Sequence, residues 1–129
     1  MQSKIILMLE RKSNVYIVDD DPSIVKALGR LLKVLGYNAR GFPSAQAFLE
    51  NSDMGDEDCL ILDITLPDMD GLLLQQEIKK RQCTISIIFI TGNGDKQLEK
   101  KVMDAGAQGY LNKPFDEKQL INLVELALK

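Results

Sequence analysis

The sequence predicts a single α/β domain, a doubly wound (βα)5 three-layer sandwich with a parallel sheet between two layers of helices. From residue 15 onward, short runs of apolar, mostly β-branched residues alternate five times with stretches whose apolar residues have helical spacing. Two of the apolar runs, 15–18 and 59–62, end directly in aspartate. Continuous apolar runs of this kind are typical of strands that a parallel sheet buries on both faces.

Composition sets limits on the chemistry. The chain has 129 residues, enough for one domain, with 45% hydrophobic and 27% charged residues. A net charge of −3 argues against direct nucleic-acid binding by this domain. The absence of histidine excludes His-based catalytic triads and His metal sites. Cys59 and Cys83 lie in or beside apolar runs, so we interpret them as small buried residues rather than a disulfide or reactive thiols.

Residues 1–13 are treated as an N-terminal extension without an assigned role, and residues 14–129 as the folded domain. The extension contains a short apolar patch but lacks a small-residue cleavage site. No apolar stretch reaches the ~20 residues that span a bilayer. We therefore expect a cytoplasmic protein without a membrane segment.

The order of elements follows from the apolar runs and the helix-capping residues. Strands are predicted at 15–19, 38–42, 59–63, 85–90 and 109–112. After the first strand, Asp21 is a predicted N-cap and Pro22 occupies the first helical position. Gly36 ends this helix, after an apolar face that includes Leu28, Leu32 and Leu35.

The later helices have similar start signals. Ser44 is the predicted N-cap of the second helix, and the third follows the loop 64–71 and ends near Arg81. In that loop, Asp68 and Asp70 are interpreted as turn and cap residues rather than metal ligands. A fourth helix is predicted at about 95–105. Asp116 with Gln119 resembles a capping box that opens the last helix.

Polar side chains stand at the ends of several predicted strands. Right-handed crossovers place the carboxyl ends of all strands along one edge of the sheet. Five side chains should converge there: Asp19, Asp20, Asp63, Thr91 and Lys113. Clustered carboxylates repel unless a cation neutralises them, and oxygen ligands with open positions suit Mg²⁺. Since no histidine, serine or cysteine stands in a nucleophilic arrangement, the candidate nucleophile is the carboxylate of Asp63.

Four fragments in this order resemble a response-regulator receiver domain over about residues 14–128. They are Val-Asp-Asp-Asp at 18–21, Leu-Asp-Ile-Thr-Leu-Pro-Asp-Met-Asp-Gly at 62–71, Ile-Thr-Gly at 90–92 and Lys-Pro-Phe at 113–115. The segments at 89–95 and 113–116 are most similar to the FixJ-like group. The resemblance implies a flavodoxin-like fold with strand order 2-1-3-4-5.

The resemblance also implies roles for the acidic residues. Asp63 would be the phosphoacceptor, taking a phosphoryl group from the phosphohistidine of a sensor histidine kinase. Asp20, Asp63 and the backbone carbonyl of Thr65 would bind Mg²⁺, with Asp19 acting through water.

Further residues would respond to the phosphoryl group. Lys113 would pair with a phosphoryl oxygen, and Thr91 would turn its hydroxyl onto the group. Tyr110 would rotate inward with Thr91, with simple packing as the alternative for this tyrosine. The bond between Lys113 and Pro114 is expected to be cis.

Receivers of this family use the last two helices and last strand to contact an output domain or partner protein, or to form a phosphorylation-dependent homodimer. The implied function is a non-enzymatic signalling switch in a two-component phosphorelay, with a transcriptional output. Two alternatives remain: a receiver-fold module that binds partners without phosphorylation, and a phosphatase of the haloacid dehalogenase type. The phosphatase would need a second aspartate two residues after the nucleophile, where Thr65 stands.

Overall fold

A computed structural model describes residues 13–128, in which five strands alternate with five helices. The strands are β1 (Asn14–Val18), β2 (Asn38–Phe42), β3 (Cys59–Asp63), β4 (Ser86–Thr91) and β5 (Gly109–Asn112). The helices are α1 (Pro22–Val34), α2 (Ala45–Asn51), α3 (Gly71–Lys80), α4 (Lys96–Asp104) and α5 (Glu117–Ala127). The extension predicted at 1–13 lies outside the described residues, apart from Ser13.

The five strands form one sheet in the order β2-β1-β3-β4-β5, and every neighbouring pair is parallel. This confirms the predicted flavodoxin-like architecture. β2 lies on one side of β1 and β3 on the other, so the strand order reverses at β1. A crevice therefore opens beyond the carboxyl ends of β1 and β3. Ligand sites of open parallel sheets lie where the strand order reverses in this way.

Successive residues of the central strands point to opposite faces of the sheet and fill two hydrophobic cores. Tyr16 and Phe42 of one face pack around Phe48 of α2, whose ring centroid lies 5.4 Å and 5.5 Å from theirs. On the other face, Ile17 packs in the same core as Leu120 of α5. All the residues of β3 are buried, as expected for a central parallel strand.

The predicted boundaries agree closely with the structure. β2, β3 and β5 have the predicted limits, while β1 and β4 are each displaced by one residue. Asp21 caps α1, its carboxylate accepting the Ser23 N–H at 2.9 Å. Gly36 follows this helix with a φ of 93°, the left-handed conformation that glycine tolerates. Leu35, predicted on the buried face of the helix, is 48% exposed because it is the C-cap.

The capping box predicted for α5 is wrong in detail. Asp116 is the N-cap, but its carboxylate accepts the N–H of Lys118 at 2.9 Å. A capping box would use the N–H of the following residue, Gln119. Asp116 therefore caps the helix at its second N–H group.

Both cysteines are free thiols, Cys59 fully buried in β3 and Cys83 partly buried before β4. Burial raises the pKa of Cys59 to about 12. Within residues 13–128, each helix is too short or too polar to cross a bilayer.

Candidate functional site

Three carboxylates meet at the carboxyl ends of β1 and β3. Asp19 and Asp20 directly follow β1, Asp63 is the last residue of β3, and the two strands are paired neighbours. One carboxylate oxygen from each lies within 4.8 Å of the others. Asp19 and Asp63 are only 1% and 5% exposed, whereas Asp20 faces solvent. The sheet thus brings together the three acidic residues that the sequence singled out.

Each buried carboxylate is oriented by a backbone amide of the turn that follows it. Oδ1 of Asp19 accepts the Asp21 N–H at 2.9 Å, and Oδ1 of Asp63 accepts the Thr65 N–H at 3.0 Å. These bonds fix the two side chains and leave both Oδ2 atoms for another partner.

That partner is the ammonium group of Lys113, in the segment after β5. Its Nζ lies 2.9 Å from Oδ2 of Asp19 and 3.2 Å from Oδ2 of Asp63. The Lys113 N–H donates to the Thr91 carbonyl at 2.8 Å, and the bond between Lys113 and Pro114 is cis. One lysine therefore bridges the carboxylates that end two neighbouring strands.

The electrostatics of this cluster favour an additional cation. Burial raises the pKa of Asp63, an effect opposed by hydrogen bonds from Thr65 and Lys113 and reinforced by the charge of Asp19. Burial alone would lower the pKa of Lys113, but its bonds and attraction to both carboxylates outweigh this and raise the pKa. The lysine stays charged, and this single ammonium contacts Asp19 and Asp63, so acidic groups outnumber positive charges in the cluster.

The donor set fits a divalent cation with a preference for hard oxygen ligands. Among residues 13–128, Asp19, Asp20 and Asp63 form the carboxylate cluster close enough to share an ion. Mg²⁺ prefers such carboxylate oxygens and keeps several waters of its own, so three carboxylates from the protein suit it. Asp70 lies outside this cluster and caps α3, accepting the Leu72 N–H at 2.9 Å.

Thr91 ends β4 beside the cluster and is 1% exposed. Its Oγ1 accepts the Asn93 N–H at 3.2 Å, so the hydroxyl oxygen is directed to the loop that follows β4. Ile90, the preceding residue, pairs with Asp63 in the sheet. Thr91 therefore stands one residue beyond the pairing partner of the candidate nucleophile.

Tyr110 of β5 lies against the same loop. Its hydroxyl donates a long hydrogen bond of 3.5 Å to the Asp95 carbonyl. Burial, together with the charges of Asp95 and Glu99, raises the pKa of this phenol and keeps it protonated. The ring approaches Gly94 so closely that a Cβ there would overlap Oη of Tyr110 and lie 2.6 Å from Cγ2 of Thr91. A side chain at position 94 would therefore clash with both Thr91 and Tyr110.

Sequence reasoning assigned no role to Gly94. It also missed the role of Gly71, whose N–H donates to the Ile64 carbonyl at 2.9 Å. A Cβ on Gly71 would lie 2.8 Å from Cα of Ile64. This close approach closes the loop 64–70 next to Asp63, and the Asp-Gly pair at 70–71 was the available signal.

Comparisons with known proteins agree with this geometry. Residues 15–125 match the response regulator receiver domain family. Response regulator protein TodT of Pseudomonas putida is 39% identical over 122 residues, covering 95% of this chain and 54% of TodT. Transcriptional regulatory protein FixJ of Bradyrhizobium diazoefficiens is 33% identical over 118 residues, covering 92% of this chain and 58% of FixJ.

The crystal structure of FixJ-N superposes with a TM-score of 0.81 at 32% identity, covering 92% of this chain and 94% of FixJ-N. The chain spans little more than half the length of the two curated relatives. The family match covers most of the chain, and the relatives support the FixJ-like assignment. The chain therefore belongs to the response regulator receiver domain family of two-component signalling, within its FixJ-like group.

Proposed function

We propose that the domain formed by residues 14–129 accepts a phosphoryl group on Asp63 from the phosphohistidine of a sensor histidine kinase. The observation that supports this most directly is the placement of Asp63. Its carboxylate ends β3 inside a three-carboxylate cluster, with the ammonium of Lys113 at 3.2 Å. A phosphoryl group arriving at this carboxylate would meet a fixed cation on one side and a cation-binding cluster on the other.

In the transfer step, a carboxylate oxygen of Asp63 attacks phosphorus and forms an O–P bond as the N–P bond of the donor breaks. The electron pair of that bond stays on the imidazole nitrogen, which takes up a proton. Lys113 then pairs with a phosphoryl oxygen, stabilising charge on the transferring group. Positioning and charge neutralisation carry the reaction, so the domain is a phosphoacceptor rather than an enzyme acting on a separate substrate.

Asp20, Asp63 and the backbone carbonyl of Thr65 are proposed to bind Mg²⁺, with Asp19 contributing through water. Mg²⁺ bound there would offset the negative charge shared by the carboxylates and the phosphoryl oxygens. Asp19 and Asp63 are already held by backbone N–H groups at 2.9 and 3.0 Å, which supports a preorganised ligand set.

Phosphorylation is proposed to act as a switch. Thr91 would turn its hydroxyl from the Asn93 N–H to the phosphoryl group, and Tyr110 would rotate inward with it. The change would reach the face formed by α4, β5 and α5, where an output domain, a partner protein or a second receiver would bind. The relative named as transcriptional regulatory protein FixJ supports a transcriptional output. The domain is proposed to act in the cytoplasm.

The proposal is tested by incubating the protein with Mg²⁺ and acetyl phosphate and measuring intact mass. We expect the gain of one phosphoryl group, lost in Asp63→Asn. Asp53→Asn is the matched control, since Asp53 is exposed at the opposite edge of the sheet. The absence of an adduct in the wild type would favour a phosphorylation-independent interaction module, and continuous turnover of phosphate esters would favour a phosphatase.

A further inference from the structure

The carboxylate of Asp68, in the loop between β3 and α3, lies at the amino end of α2. Its Oδ2 accepts the Gln46 N–H at 2.9 Å, and its Oδ1 accepts the Ala45 N–H at 3.4 Å. The partners are 22 and 23 residues away in the sequence. A side chain from the phosphoacceptor loop thus replaces water at the first two free N–H groups of another helix.

The third free N–H group of α2 is capped by a residue next to the helix itself. Oγ of Ser44 accepts the Ala47 N–H at 3.0 Å. The two capping interactions use different N–H groups, so removing one leaves the other in place. The negative charge of Asp68 also lies where the helix dipole and ionic hydrogen bonding favour it.

α2, which this contact caps, is itself held in place by packing against the rest of the domain. Ala45 and Phe48 are fully buried in the core beneath the sheet. At the other end of the helix, Nη1 of Arg81 donates to the Leu49 carbonyl at 3.4 Å. Arg81 directly follows α3, so residues on both sides of α3 are tied to α2.

The loop that carries Asp68 also carries Thr65, whose N–H orients Asp63. Ile64 and Leu66 are buried, whereas Thr65 and Pro67 face solvent. Three residues separate Ile64 from Asp68, and Pro67 among them has a restricted φ. Fixing Asp68 therefore limits the conformations open to the Thr65 backbone.

We propose that Asp68 is a positioning residue of the phosphoacceptor site, holding the loop 64–70 against α2 and thereby the Thr65 backbone against Asp63. The consequence for phosphorylation rests on the function proposed above. The positioning itself is a property of the metal-free protein and can be measured without any phosphodonor.

The experiment compares Asp68→Ala with Ser44→Ala, which removes the other cap of the same helix without touching the loop. Amide hydrogen exchange in EDTA, followed by NMR, reports on the metal-free site. We expect Asp68→Ala to reduce protection at Ala45, Gln46 and Thr65, and Ser44→Ala to reduce it at Ala47 while leaving Thr65 unchanged. Asp68→Asn, which keeps one acceptor oxygen, should restore part of the protection at Thr65.

Calorimetric titration with Mg²⁺ provides a second readout. Because Asp68 is proposed to fix the loop that carries the Thr65 carbonyl, Asp68→Ala should weaken Mg²⁺ affinity by at most about tenfold, the lower end of the effect of losing a direct partner of a metal ligand. Ser44→Ala should leave the affinity unchanged. Equal effects of the two variants on Thr65 protection would overturn the positioning role and leave Asp68 as a helix cap only. If the wild type forms no acetyl phosphate adduct while Thr65 responds as expected, the proposed function fails and the positioning role stands.

Discussion

Replacing Asp20 with asparagine is expected to stabilise the metal-free protein and to remove most of its stabilisation by Mg²⁺. Asp20 contributes one of three carboxylate oxygens within 4.8 Å of each other, against the single ammonium of Lys113. Two unit charges at that distance repel by about 3 kcal/mol at an effective dielectric constant of 20. Since Asp20 faces solvent, screening should reduce the net gain in the free energy of unfolding to about 1 kcal/mol.

Mg²⁺ should stabilise the wild type more than it stabilises the Asp20→Asn variant. At about ten times its dissociation constant, a ligand that binds only the folded state stabilises it by about 1.4 kcal/mol. For a domain of this size that corresponds to a rise in melting temperature of about 4 °C in the wild type. The variant, with one ligand fewer, should show a much smaller rise.

Urea denaturation followed by circular dichroism, in EDTA and in Mg²⁺, measures both effects. Glu57→Gln is the matched control, because it removes one negative charge from an exposed residue at the opposite edge of the sheet. The reasoning is refuted if Asp20→Asn is less stable than the wild type in EDTA. It is also refuted if Mg²⁺ stabilises both proteins equally.

Further expectations concern the loop that follows β4, the thiols and the core. Gly94→Ala should displace Tyr110, because the added methyl would overlap its Oη, and NMR shifts of the ring should change without phosphorylation; an unchanged ring environment would contradict the packing described. Burial raises the pKa of both thiols, but Cys83 is partly exposed and should react with a thiol reagent in the folded protein at alkaline pH. Cys59, which is fully buried and whose pKa is raised to about 12, should react only in denaturant. Phe48→Ala should lower the free energy of unfolding by about 3–5 kcal/mol, since the ring is fully buried. Urea titration measures this loss, and a value below about 1 kcal/mol would show that the core closes around the cavity.

The sheet was predictable because strands of a parallel sheet carry their own signal. β3 and β5 were located to the residue from short apolar or glycine-bounded runs. The errors at β1 and β4 arise where polar residues join the pairing: Asn14 pairs with Asn38, and Thr91 pairs with Asn112. Hydrophobicity does not mark such residues, since backbone hydrogen bonds decide the pairing.

The acidic cluster was predictable for a related reason. In a parallel sheet, the residues at the carboxyl ends of all strands lie at the same edge. Locating the strand ends in the sequence is therefore enough to place Asp19, Asp63 and Lys113 together. The contact of Asp68 with α2 was not predictable, since it depends on the relative position of two loops. The fit of Gly94 under Tyr110 likewise depends on side-chain packing that no local pattern encodes.

The bridging lysine has a consequence for how the site comes into existence during folding. Lys113 lies 94 residues from Asp19 and 50 from Asp63 along the chain, and it joins them only after β5 has paired with β4. A chain emerging from the ribosome contains all three carboxylates long before it contains their counter-charge. Contacts between such distant residues form late, because closing long loops costs entropy before it gains contacts. The proposed phosphorylation of Asp63 should therefore become possible only after β5 has joined the sheet, so that incompletely folded chains would not compete with folded ones for the phosphodonor.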